Sequence, residues 1–249
     1  MAGNAAQPGV SVASRVMAIL GAFDPGHREL TLSELGRRAG LSLTTTHRIV
    51  AELTEAGALA RVDGGGYVIG RRIWDLGLLA PAQTDLRAIA SPFLHDLYGA
   101  TLATVHLAVR DGHEVLYLDR LAGHASVPVV SQVGSRLPMH ATGVGKVLLA
   151  HAPEPVRVEV LSRLARITPH TITQPGLLGR QLAQVVRDGF AQTSEEMSLG
   201  GCSVAVPIRN GPGEVVAALG IVVPTLRSGR ARLITALQVA AQGIRRNLP

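Results

Sequence analysis

Residues 31–50 read TLSELGRRAGLSLTTTHRIV, and this stretch decides how the N-terminal third of the chain folds. Thr31, three residues before Glu34, starts a capping box in which hydroxyl and carboxylate reciprocally satisfy N–H groups that a helix start leaves open. The helix beginning there carries Leu32, Leu35 and Ala39 to Gly40, a residue type that tolerates a left-handed exit. Ser42 then caps a further helix predicted to run to Gly57. At about 100° per residue, Ile49, Leu53 and Ala56 share its inward face, whereas Thr44, His47, Arg48 and Ala51 point outward. Two helices joined by a short glycine-containing turn, the second with small polar groups at its start, make a helix-turn-helix whose second helix fits a major groove.

The flanks agree with that architecture. Upstream, Val12, Val16, Ile19, Leu20 and Phe23 recur every three or four residues, predicting a first helix that Asp24-Pro25-Gly26 ends. Downstream, residues 58–62 and 67–69 flank Asp63-Gly64-Gly65-Gly66, a hairpin with a glycine turn that serves as the wing. Arg61 on one strand, with Arg71 and Arg72 just after the other, is placed to meet flanking phosphates. The candidate contacts to double-stranded DNA are therefore Arg37, Arg38, Ser42, Thr44, Thr45, Thr46, His47, Arg48 and Arg61. Small side chains let the backbone approach the bases, His47 and Arg48 supply hydrogen bonds to base edges or phosphates, and first-turn N–H groups suit a phosphate.

Composition narrows the alternatives. At about 150 residues per domain, a chain of 249 residues has room for two ordinary domains or one large one. With 47% hydrophobic and 17% charged residues it buries enough apolar surface to fold, and with 3% aromatics it offers no stacking platform for single-stranded nucleic acid. No apolar run approaches the roughly 20 residues of a membrane span. Residues 1–11 lack a basic segment followed by an apolar one, so a cytoplasmic protein with a frayed end is expected. A single cysteine, Cys202, fits a reducing compartment. The net charge is +6, but residues 1–75 hold eight arginines against seven acids, so bulk charge marks neither half as a polyanion binder and the DNA expectation rests on pattern.

Beyond the wing, Ile73, Leu76 and Leu79 form a short helical stripe before Pro81, and a second pattern runs from Thr84 through Leu86, Ile89, Phe93 and Leu97 to Gly99. These place a DNA-binding domain over residues 1–72, a linker helix over 73–84 and a second domain over 85–249. Alternating residues at 102–109 and 115–121 flank an Asp111-Gly112 turn, with further strands predicted at 126–133, 190–194, 202–208 and 214–223. Helical patterns occupy 141–151, 154–164, 175–187 and 229–246, which together describe an α+β domain. Gly143 and Val144 sit near the start of the 141–151 helix, where open N–H groups attract a carboxylate. This is no Walker loop: the earlier glycine is missing and Val147 stands where Ser or Thr would hold magnesium, so no nucleotide or other cofactor is implied. Lys146 is placed either to steer an anion or to pack.

Four stretches carry a family resemblance: residues 31–50 quoted above, RLPMHATGVGKVLLA at 136–150, ITPHTIT at 167–173, and Glu195-Glu196 through CSVAVP at 202–207. Taken in order they cover about residues 12–247 and resemble the IclR family of transcription regulators. The resemblance implies an N-terminal winged helix-turn-helix, a linker helix and a C-terminal GAF-like or profilin-like effector domain. It further implies a homodimer or homotetramer reading a palindromic or repeated operator, with a small organic-acid effector changing the spacing or orientation of the DNA-reading heads. Repression is expected over activation. Where relatives usually carry Pro-Lys before the recognition helix, this chain has Ser42-Leu43, which removes a phosphate contact. The family's effector pocket matches Leu137, Gly143, Val144, Thr193, Cys202, Gly220 and Val222 here. An acidic residue common near the Thr193 position is lost unless Glu195 or Glu196 replaces it, and hydroxyls of the late strand become Gly220 and Val222. The expected effector therefore keeps an anionic end at Gly143 and Val144 but has a larger or more apolar body than the smallest keto acids.

Three rivals are weaker. A cysteine hydrolase would pair Cys202 with His140, but no third orienting group is evident, and a lone cysteine opening an apolar strand is ordinarily a small buried residue. His106, His113 and His124 fit no metal-ligand spacing. A scaffold whose winged helix only mediates assembly shares the fold but not the outward-facing polar cluster's purpose.

Overall fold

The structure, a computed structural model, describes residues 11–248 apart from 25, 78, 80, 124–126, 128 and 228. Its first elements are α1 (Val12–Leu20), α2 (Leu32–Ala39), α3 (Leu43–Glu55), β1 (Leu59–Arg61), β2 (Tyr67–Ile69) and α4 (Arg71–Gly77). The capping box closes as expected, with Glu34 N–H donating to Thr31 Oγ1 at 3.3 Å and Thr31 N–H to Glu34 Oε2 at 2.8 Å. Gly40 leaves α2 at φ 68°, a conformation that costs any residue with a Cβ. Ile19, Leu30, Leu35, Ile49, Val50 and Leu59 form the core beneath these helices. β1 pairs with β2 antiparallel, Leu59 opposite Ile69, and forms the wing.

The chain divides into two compact units between Pro81 and Ala82. The second contains α5 (Pro81–Thr101), β3 (Thr104–Asp111), β4 (Glu114–Leu121), β5 (Arg136–Pro138), a 3-10 turn (Met139–Ala141) and α6 (Gly143–Ala150). α7 (Glu154–Ser162), α8 (Pro175–Asp188), β6 (Ala191–Ser194), β7 (Cys202–Arg209), β8 (Val215–Val223) and α9 (Arg230–Asn247) follow. Six strands make one sheet in the order β5-β4-β3-β8-β7-β6, every neighbouring pair antiparallel. Strand alternation sorts the two faces. Val204, Val206, Ile208, Leu219 and Ile221 pack with α5 and α9, whereas Ala108, Ala205 and Ala218 pack with α6 and α8. Alanine on the second face lets α6 lie close to the sheet.

Sequence and structure part at several places, among them the linker expected over 73–84, where α4 (Arg71–Gly77) ends before α5 begins at Pro81. Residues 126 and 128 lie outside the described residues, and 127 and 129–133 form no strand. A turn closed by Ser135 N–H to the Gln132 carbonyl at 3.0 Å interrupts the pattern there. The edge of β4 is instead taken by β5, an unforeseen strand pairing Val115 with Leu137. The helix expected from Thr84 begins at Pro81, and the one expected from 141 begins at Gly143 after the 3-10 turn. Pro25 and residues 1–10 lie outside the described residues.

Truncating Ile49, 1% exposed in the N-terminal core, is expected to cost that unit about 2–5 kcal/mol, whereas Thr31→Ala, which removes only the cap, costs about 1 kcal/mol. Urea unfolding of the two variants beside the parent checks the order.

Candidate functional site

The outward face of α3 is built from its cap. Ser42 Oγ accepts from Thr45 N–H at 3.4 Å and donates to Thr45 Oγ1 at 3.0 Å, which ties these two side chains together at the helix start. Thr44, His47, Arg48 and Ala51 are exposed on that face, as are Ser42, Arg37 on α2 and Arg61 on the wing. Among the described residues, Arg37, Arg48 and Arg61 have no salt-bridge partner, so their charge faces solvent.

Two residues leave the expected set. Thr46 is fully buried, its Oγ1 donating to the Ser42 carbonyl at 2.9 Å, and a Cβ on Gly36 would lie 3.0 Å from that oxygen. It is the contact at which α2 and α3 cross, because 46, 49 and 50 share one helical face. Arg38 donates to the Ala22 carbonyl at 2.7 Å and to Asp24 Oδ2 at 2.5 Å, tethering α2 to the turn after α1. Arg72 is similarly occupied by the Ala56 carbonyl, and Arg71 lies 3.7 Å from Asp75.

In the second unit a cavity of about 50 Å³ opens between α6 and the sheet. Leu137, Gly143, Val144, Thr193, Gly220 and Val222 all line it, six of the seven positions expected. Cys202 does not. On β7 it shares a face with Val204 and Val206, away from α6, and its sulfur lies 3.5 Å from Ser194 Oγ. Ser203, the next residue, faces the cavity in its place and exchanges a 2.6 Å hydrogen bond with Thr193. Strand alternation could have found it. A Cβ on Gly143 would come within 2.5 Å of Ser203 Oγ, and one on Gly220 within 2.8 Å of Val144 Cγ1, so both glycines allow the close approach. Thr142 caps α6 through Gly145 N–H at 3.1 Å, and Gly143 and Val144, whose first-turn N–H groups have no partner within the helix, line the cavity.

The opposite wall holds residues the sequence left unassigned. His106 on β3 is 4% exposed, shares a 2.7 Å hydrogen bond with Ser131 Oγ and meets Tyr117 edge-on at 4.9 Å. Burial, aided by the nearby Arg120 charge, pushes its pKa down to about 3, so the imidazole is neutral. Burial raises the Tyr117 phenol well above its ordinary value, and it stays protonated. His113 lies on an exposed turn and His124 is outside the described residues; no metal-binding cluster occurs among those described.

Lys146 does not reach the cavity. It is 1% exposed and donates to both Glu196 carboxylate oxygens at 2.6 and 2.8 Å and to Gln181 Oε1 at 2.8 Å. Burial pulls Lys146 down and Glu196 up, and each charge holds the other against that shift. Glu195, at φ 55°, turns its carboxylate to Gly200 N–H at 2.6 Å. Neither acid therefore replaces the one lost near Thr193. His140 bonds the Ala165 carbonyl at 2.9 Å and makes no hydrogen bond to Cys202 among the described residues, so the pair a hydrolase needs is not formed.

A helix-turn-helix with an unpaired Arg48 exposed on its second helix, followed by an α+β unit with a lined cavity, defines a DNA-binding regulator with a ligand domain. The chain belongs to the IclR family: residues 12–63 match the IclR helix-turn-helix domain and residues 80–246 the C-terminal domain of bacterial IclR transcriptional regulators. It is a transcription regulator and not an enzyme. It is 32% identical over 229 residues to the HTH-type transcriptional regulator XynR of Escherichia coli K12, covering 91% of each chain. It is 30% identical to the transcriptional repressor AllR of Salmonella typhimurium, over 92% of this chain and 86% of that one. An IclR homolog from Microbacterium hydrocarbonoxydans, solved with 4-hydroxybenzoate, superimposes with TM-score 0.92 at 38% identity, over 96% of this chain and 99% of that one.

Two variants test the buried charges. Lys146→Met strands the Glu196 carboxylate and is expected to cost about 3–5 kcal/mol, most of it recovered in Lys146→Met/Glu196→Leu, as denaturant midpoints check. For His106 the unfolded chain binds a proton near 6.5 and the folded chain only near about 3, so stability is complete above 6.5 and falls as pH drops through that window. The slope is about 1.4 kcal/mol per pH unit, and His106→Phe is expected to flatten it in unfolding curves taken between pH 7 and 4.

Proposed function

We propose that the chain is a repressor that binds a palindromic operator as a homodimer or homotetramer, and that a small organic acid bound in the C-terminal domain changes its hold on DNA. In this proposal residues 1–72 bind DNA, 73–84 link, and 85–249 bind the effector. The DNA contacts are Ser42 at the cap of α3 and Thr44, Thr45, His47 and Arg48 on it, with Arg37 and Arg61 beside them. The observation carrying it is the exposed, unpaired Arg48 next to His47 on a helix whose other face is core. The name of the Salmonella relative supports repression.

The effector is a carboxylic acid with an apolar body. Its anionic end sits at the N–H groups of Gly143 and Val144, beside the Thr193 and Ser203 hydroxyls. The apolar walls formed by Leu137, Val144, Met197 and Val222 support a body larger than a keto acid, and the ligand of the Microbacterium homolog supports an aromatic one.

Selection from random duplex oligonucleotides is expected to return a two-fold symmetric site whose affinity falls steeply with salt. No enriched site would overturn the DNA assignment. Arg48→Ala is expected to weaken that site by about 1–3 kcal/mol in gel shifts while leaving acid binding by calorimetry unchanged.

A further inference from the structure

The first residue of α3 breaks the polar character of the surface around it. Leu43 is 56% exposed, and among the described residues of α2 and α3 it is the one large apolar side chain left in solvent. Its neighbours Ser42, Thr44, His47 and Arg48 are exposed too, and all of them carry hydrogen-bonding groups. The cap holds it in place. Ser42 Oγ, bonded to Thr45 N–H and to Thr45 Oγ1, fixes where the helix begins and so where Leu43 projects.

Helical geometry puts that side chain among the expected DNA contacts. Thr46, Ile49 and Val50 are buried and define the inward face. At about 100° per residue, Leu43 and His47 lie about 40° apart on one flank of the outward face, and Thr44 and Arg48 lie equally close on the other. Side chains lean toward the N-terminus of their helix, so Leu43 and Thr44 reach past its start. A recognition helix presents its N-terminal residues to the base edges of the major groove. Leucine can use almost nothing it meets there. The groove floor offers purine N7 and O6, the amino groups of adenine and cytosine, thymine O4, and one apolar group, the thymine C5 methyl. Covering a donor or acceptor with leucine would strand it, whereas methyl against methyl releases water from both.

We propose that Leu43 is a specificity-determining residue that reads thymine through its C5 methyl, while His47 and Arg48 supply the hydrogen bonds. The inference rests on the DNA surface proposed above, to which it adds an apolar reader.

The probe is the duplex that the full chain enriches from random oligonucleotides, resynthesised with deoxyuridine replacing thymidine one position at a time. That change removes only the methyl. At one or more positions uracil is expected to weaken binding by the parent about three- to fivefold in gel shifts, the worth of one buried methyl. In Leu43→Ala the same replacement is expected to cost less than about 1.5-fold, whereas Arg48→Ala, weaker on both duplexes, keeps the parent's ratio. A leucine that served only the helix would, when truncated, weaken both duplexes alike and leave the ratio intact. That outcome, a ratio lost in Thr44→Ser but not in Leu43→Ala, or a site insensitive to uracil throughout would overturn the assignment and leave the DNA surface standing. Failure to enrich any duplex overturns both.

Discussion

The cavity and its polarity depend on how closely α6 lies against the sheet. All eight residues of α6 are buried, an unusual setting for a helix whose first turn carries open N–H groups. The approach requires the missing Cβ atoms of Gly143 and Gly220, one facing Ser203 and the other Val144. A side chain at either position would push the helix start away from β7 and β8 and undo this close seating. The same seating places the helix N-terminus in a low-dielectric environment, where its partial positive charge acts on an anion with little screening. Shape and electrostatics thus come from one packing contact, and neither can be altered alone.

A second consequence of burying α6 is Lys146. Its ammonium group cannot reach water and is held by Glu196, the residue that opens the segment leading to Met197, Ser198 and Gly201 on the cavity wall. Thr171 Oγ1 and Thr168 Oγ1 add hydrogen bonds to the carbonyls of Glu196 and Glu195, each at 2.7 Å. An ion pair of this kind contributes little net stability, since desolvation offsets attraction, but it restricts the backbone at 195–196 to one place. The cavity-wall segment therefore inherits its position from a charge on the helix that also carries the open N–H groups of Gly143 and Val144.

Much of this was legible in the sequence, and the exceptions have physical causes. Local signals survived intact: the Thr31–Glu34 box, the Gly40 exit, the glycine turn of the wing and the α6 glycines are dictated within a few residues. Thr46 and Cys202 were misplaced although their own neighbours locate them, Thr46 by its helical spacing to Ile49 and Val50, Cys202 by its alternation with Val204. Arg38 differs, because its partners Asp24 and Ala22 lie across a turn and only the fold brings them near. His106 is of the same sort. Nothing in Thr104-Val105-His106 announces a buried neutral imidazole, which follows from a sheet covered on both faces and from Ser131 arriving 25 residues later.

The two binding surfaces obey different electrostatics, and this bears on how they can be told apart. The cations of α3 and the wing are exposed, so their attraction to phosphate is screened within a Debye length of about 8 Å at physiological salt. The cavity's polar groups are buried and uncharged, and short hydrogen bonds inside it are nearly indifferent to ionic strength. Any coupling between acid and DNA is a difference in acid affinity between two states of the protein, and it is reciprocal. Measured at several salt concentrations, the DNA affinity should move over decades while the factor by which the acid changes it stays constant. A factor that instead vanished with salt would mean that the acid competes with phosphate at the basic surface and never enters the cavity.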